Sequence, residues 1–148
     1  ADHLDVPLDF EGVAAAGSIL GTTATQIFSD ADCPVYATYR WLEFYQHESC
    51  GKCSPCREGT NWTVKMLERV VRGEATPMDL DIIASVQENI IGHCLCVLGD
   101  SMAMPVSAMV KKFRPEFEEV IANAGSPLED ASHLAPVQGP AATLGASA

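Results

Sequence analysis

The sequence predicts a mainly α-helical fold, a small helical bundle organised around one cysteine-rich loop, and three observations carry that reading. Cys50, Cys53 and Cys56 recur at intervals of three within H-E-S-C-G-K-C-S-P-C-R-E-G, residues 47–59. Two further cysteines, Cys94 and Cys96, arrive much later in I-G-H-C-L-C-V-L-G-D. Around them run segments whose apolar residues repeat at helical spacing, bounded by cap residues, prolines and glycines. A C-x-x-C-x-x-C triplet lets one loop wrap a compact inorganic core, each thiolate reaching a different metal corner. A distant cysteine then closes the fourth corner, which is how a [4Fe–4S] cluster is held. Gly51, Pro55 and Gly59 suit a tight wrap, and such a loop turns several backbone N–H groups toward the sulfurs.

The elements follow in chain order. Residues 1–30 form a first segment that starts with Ala, not Met, and reads as the end of something larger or processed. Asp9 opens a short alanine-containing helix that Gly17 stops. A-T-Q-I-F-S-D then reads as a strand ending at Asp30. One helix and one strand cannot bury a core alone.

From residue 31 to 124 the pattern is helical. Pro34 sits at a first turn, and Val35, Tyr39, Leu42 and Tyr45 share one face, widened by Tyr36 and Trp41. His47 reads as a cation at that helix's C-terminus. Thr60 is the expected N-cap of a second helix carrying Trp62, Met66, Leu67, Val70 and Val71, with Gly73 as its stop. Thr76, Pro77 and Asp79 announce a third helix along Ile82, Ile83, Val86 and Ile90, ended by Gly92. Pro105 is expected to begin a fourth helix and Pro115 a fifth, the latter carrying Phe117, Val120 and Ile121. Met102, Met104 and Met109 read as adaptable core filler. Residues 125–148 collapse into Ala, Gly, Pro and Ser and are expected to be disordered.

Composition narrows the function. The 148 residues are 47% hydrophobic, an ordinary globular value, and the net charge of −11 argues against nucleic acid. No apolar run approaches the roughly 20 residues that span a bilayer, so any membrane link is expected to run through partners. There is no G-x-G-x-x-G, Walker loop, Ser-His-Asp arrangement or H-E-x-x-H. Lys and Arg are absent before Arg40, while Lys52, Arg57, Lys65, Arg69 and Arg72 crowd the triplet and the stretch after it. Lys52 and Arg57 would offset the negative charge of a thiolate-bound cluster and raise its potential.

Other readings of six cysteines are separated by spacing. Structural zinc usually takes two separated pairs, although Cys50, Cys53 and Cys56 with His93 or Cys96 would make a zinc-stabilised interaction module. A structural subunit with a degenerate, metal-free site is a further alternative. A disulfide framework fits poorly with a long apolar chain that shows no secretory signal. Chemistry alone barely separates Cys94 from Cys96 as the fourth ligand.

E-S-C-G-K-C-S-P-C-R-E-G-T, followed by C-V-L-G-D and F-R-P-E-F, resembles the C-terminal part of the NADH-binding flavoprotein subunit of respiratory complex I. The same module occurs in NAD-linked hydrogenases and formate dehydrogenases, and the match runs from about Val6 to about Ala124. The resemblance implies that residues 1–30 close a ubiquitin-like β-grasp (SLBB-like) domain. It implies that the cysteine of C-x-L-G-D, Cys96, joins Cys50, Cys53 and Cys56 as the fourth ligand. Cys94 has no counterpart in that pattern and reads as a small buried hydrophobe. Val97 and Leu98 are implied to lie against the flavin. FMN and NAD(H) are implied on an N-terminal domain absent from this chain. The implied role is a one-electron relay from FMN to downstream iron–sulfur clusters, within a complex that includes a neighbouring iron–sulfur subunit. The implied location is cytoplasmic, peripheral to the inner membrane through that complex, or the mitochondrial matrix in a eukaryote.

Overall fold

The computed structural model describes residues 4–29 and 31–123. The expected disordered tail at 125–148 lies outside the described residues. The chain divides into two compact units, Ala1–Ala31 and Asp32–Ala148.

In the first unit, helix α1 (Phe10–Ala15) begins where Asp9 accepts a hydrogen bond from the Gly12 N–H at 2.6 Å. The expected strand at 24–30 is not formed. Residues 24–29 have no regular secondary structure, and Ile27 is 92% exposed. An extended segment becomes a strand only when a neighbour takes its ladder of N–H and C=O groups, and no strand occurs among the described residues.

The second unit is wholly helical among its described residues: α2 (Pro34–Glu48), α3 (Ser54–Val71), α4 (Pro77–Ile90), α5 (Leu98–Lys112) and α6 (Arg114–Ala122). Each helix packs on its successor in the chain, α5 returns to α2, and α6 lies across α2, α3 and α5. Val35, Leu42, Leu67, Val70, Leu80, Ile83, Ile90, Met102, Val106 and Phe117 fill the centre. Burying each such side chain contributes about 1.5–3 kcal/mol against its ordering entropy, so this core, not the surface ion pairs, holds the bundle.

Several starts follow the sequence logic. Pro34 and Pro77 occupy the first positions of α2 and α4, where a missing N–H costs nothing. At α4 the Asp79 carboxylate accepts from the Thr76 backbone N–H at 2.6 Å and from its hydroxyl at 2.8 Å. Gly73 ends α3 with φ +70°, and Glu74 N–H reaches back to the Arg69 carbonyl at 2.8 Å.

Three expectations are corrected. Helix α3 starts at Ser54, not Thr60; Pro55 lies in its first turn, and Thr60 is buried with its hydroxyl on the Arg57 carbonyl. The buried stripe of α3 is therefore Cys56, Gly59, Thr60, Thr63, Val64, Leu67, Val70 and Val71, leaving Trp62 55% exposed. Helix α5 begins at Leu98 and runs through Pro105; Pro105 and Ser101, whose carbonyl loses its helical N–H partner there, are both exposed residues. Met102 is core as expected, whereas Met104 is 41% exposed.

Candidate metal centre

The loop between α2 and α3 holds two of the triplet cysteines, and α3 takes the third. Cys53 stands at the N-cap of α3 and Cys56 in its first turn. That end of a helix carries partial positive charge, which favours thiolates. Gly51 turns the loop with φ +75°, a conformation other residues resist. Its carbonyl accepts a hydrogen bond from Arg57 Nη1 at 2.6 Å, which ties the loop to the helix it precedes.

The second piece of the site comes from the α4–α5 connection. Gly92 N–H donates to Asp100 Oδ1 at 2.7 Å, so Asp100 reaches back from the first turn of α5 and fixes the returning chain. The connection then lies on the triplet: Leu95 N–H donates to Cys53 Sγ at 3.3 Å. Ser49 Oγ is 3.3 Å from Cys56 Sγ. Neither Ser49 nor Leu95 stands out in the sequence. Ser49 is the residue before the triplet, and Leu95 acts through its backbone, which carries no side-chain signature.

Together these elements form an open cavity of about 120 Å³. Cys50, Cys53, Cys56, Cys94 and Cys96 all line it, with Glu48, Ser49, Lys52 and Leu98. Cys56 is buried, Cys53 and Cys94 are half-buried, and Cys50 and Cys96 are exposed. His93 is exposed and is not among the lining residues. The thiols ring a cavity; among the described residues no three His, Cys, Asp or Glu side chains converge on one ion-sized point. Leu98 belongs to the wall, whereas Val97, the N-cap of α5, is 75% exposed.

The cations near the triplet have distinct surroundings. Lys52 is the cation that lines the cavity. Arg57 is engaged with the Gly51 carbonyl and with Glu58 Oε1 at 2.8 Å. Arg69 pairs with Asp79 and Arg72 with Glu68, so both belong to the helix surface.

Cys94 is the least expected member of the site. Its thiol donates a long hydrogen bond to the Ile90 carbonyl, 3.8 Å, and burial pushes its pKa up, with Cys56 and Cys53 adding to the shift. Gly99 makes room for it, because a β-carbon there would lie 2.6 Å from Cys94 Sγ.

Comparison with known proteins agrees with this geometry. Residues 36–120 match the family described as the NADH-ubiquinone oxidoreductase-F iron-sulfur binding region. The F chain of the NADH-quinone oxidoreductase of Streptomyces coelicolor is 51% identical over 134 residues, covering 90% of this chain and 30% of the relative. Its counterpart in Mycobacterium bovis is 49% identical over 128 residues, covering 86% and 29%. Among solved structures, NAD+-reducing [NiFe]-hydrogenase in the H2-reduced state is similar with a TM-score of 0.60 and 34% identity, over 64% of this chain and 16% of that one. The chain thus spans about 30% of the length of the curated relatives it matches.

Proposed function

Because the chain belongs to the NADH-ubiquinone oxidoreductase-F iron-sulfur binding family, we propose that it holds one [4Fe–4S] cluster on Cys50, Cys53, Cys56 and Cys96. The observation that carries this reading is the gathering of these four thiols into one cavity from two segments far apart in sequence. The donor set fits the group. Soft thiolates suit iron–sulfur cores, and the Leu95 N–H and Ser49 hydroxyl supply the hydrogen bonds to sulfur that such a site needs. When bound, such a cluster takes up and gives away one electron at a time.

The chain's own residues then have distinct parts. Arg57 holds the loop in its wrapped shape through Gly51, and Lys52 sets a positive charge at the cavity wall. Leu98 keeps one side of the cavity apolar, and Val97 offers an exposed apolar surface beside it. We assign Val97 and Leu98 to the side that faces FMN. The relay would run from FMN, reduced by NADH on a domain outside this chain, to iron–sulfur clusters of a neighbouring subunit in an NADH:quinone oxidoreductase-type complex. Residues 1–30 would close a β-grasp domain. No helix of the described residues is long and apolar enough to cross a membrane, so attachment to the inner membrane would be through the complex.

A second reading, an NAD-linked hydrogenase or formate dehydrogenase partner, draws support from the similarity to the NAD+-reducing hydrogenase. Both readings share the cluster. Anaerobic purification with iron, sulfide and zinc analysis tests it: four irons per chain and a brown chromophore are expected, and Cys53→Ser should abolish both. Stoichiometric zinc without iron would overturn the proposal.

A further inference from the structure

We propose that Cys94 is a reserve ligand of the cluster site, able to replace Cys96 when that exposed thiolate is lost; the inference rests on the cluster reading above. Five cysteines line the cavity, one more than a [4Fe–4S] core requires. The contact between Leu95 N–H and Cys53 Sγ pins the middle of the Cys94–Cys96 segment against the triplet. Both flanking thiols are thereby held at the same wall. They differ in exposure: Cys96 is open to solvent, and Cys94 is half-buried.

The resting position of Cys94 is compatible with release. The hydrogen bond that holds its thiol is long, 3.8 Å to the Ile90 carbonyl, and that carbonyl belongs to the last turn of α4. Rotation about its first side-chain torsion exchanges staggered wells and needs no backbone movement. The buried Gly99 leaves the space in which the unused thiol is stored, since any β-carbon there would lie 2.6 Å from the sulfur.

The exchange balances without an electron donor or acceptor. One iron–sulfur bond forms to Cys94 as the bond to Cys96 breaks. The proton leaving the Cys94 thiol goes to the departing Cys96 sulfur or to solvent. A second thiol at the cavity lets the site keep four sulfur ligands when the exposed Cys96 thiolate leaves or is removed.

The test compares Cys94→Ala, Cys96→Ala and the double variant in the full chain, each reconstituted anaerobically with iron and sulfide. Cys96→Ala should keep four irons per chain with an altered EPR signal, and the double variant should not. Cys94→Ala, with Cys96 intact, should surrender iron to a chelator about tenfold faster than wild type. Equal cluster loss in Cys96→Ala and the double variant, with helical circular dichroism intact, would overturn the inference. If Cys96→Ala does not fold, the chelation rate of Cys94→Ala decides alone, and a wild-type rate sinks the idea. A wild-type chain that binds no iron would instead overturn the cluster reading, and this inference with it.

Discussion

Gly59 of α3 and Ile90 of α4 meet so closely that a β-carbon on Gly59 would overlap Ile90 Cδ1 and lie 2.7 Å from its Cγ1. Ile90 is 1% exposed. This contact brings the start of α3, with its cysteines, against the end of α4, whose carbonyl holds Cys94.

Gly59→Ala sets two effects against each other. Alanine favours the helix by about 1 kcal/mol, while overpacking costs about 1–3 kcal/mol. We expect net destabilisation in urea unfolding. Ile90→Val, which removes Cδ1, should recover part of it, with a coupling energy of at least about 0.5 kcal/mol. Additive effects would show that the two residues do not meet as described.

Gln87 is fully buried, donates to Thr63 Oγ1 at 2.9 Å and to the Ile83 carbonyl at 3.0 Å, and leaves its own Oε1 unpartnered among the described residues. Replacing it with Met keeps the volume and removes the unpaired oxygen, so a change within about 1.5 kcal/mol is expected. Gln87→Ala should cost about 2–4 kcal/mol through the cavity it opens. A larger loss for Met than for Ala would contradict this ordering.

Asp79 should give the bundle an acid-sensitive contribution. The Thr76 backbone N–H, first of all, holds its carboxyl below the ordinary carboxylate range, with the Thr76 hydroxyl and Arg69 adding to the shift. A depressed folded-state pKa stabilises the protein fully above the unfolded value of about 3.9 and is lost as pH falls through the lower folded value. Asp79→Asn should cost about 1–3 kcal/mol at pH 7. Its loss of stability below about pH 4 should be shallower than that of wild type. Parallel pH profiles would sink this.

Arg57→Gln should loosen the cysteine loop, because the bond to the Gly51 carbonyl is lost. Iron release to a chelator is expected to rise about tenfold. The potential should fall only modestly, since Glu58 already shares the guanidinium charge. Lys52→Gln should lower the potential more, as Lys52 lines the cavity and Arg57 does not. Redox titration followed by EPR gives both values, and the opposite ranking would exclude the assignment.

Much of this is legible in the residues, for identifiable reasons. The Thr76–Pro77–Asp79 start announces α4 because cap chemistry is local, and Gly73 marks the stop of α3 by the same logic. The start of α3 is easily misread because the cysteine spacing looks like loop throughout, whereas Pro55 already occupies a first helical turn. Pro105 misleads in the other direction, since an exposed proline can sit inside a helix when solvent meets the freed carbonyl. The cysteines of the site are legible from spacing, but Leu95 is not, because a backbone N–H has no sequence code. Gly59 reads as a flexible turn residue and proves to be a close-packing position inside a helix.

The hydrogen bond from Leu95 to Cys53 joins residues 42 apart and closes a loop that contains all of α3 and α4. Adjacent helices pair through short connections and fold fast, while each doubling of a closed loop costs about 0.6 kcal/mol more in entropy. The wall of the cavity therefore cannot close until α3 and α4 have folded back on each other. In time order the sulfur site is a late event, and the thiols become a clock for the bundle. During refolding, Cys56 should remain open to pulse alkylation after the helical circular dichroism has matured, and close only when the two ends of that long loop meet.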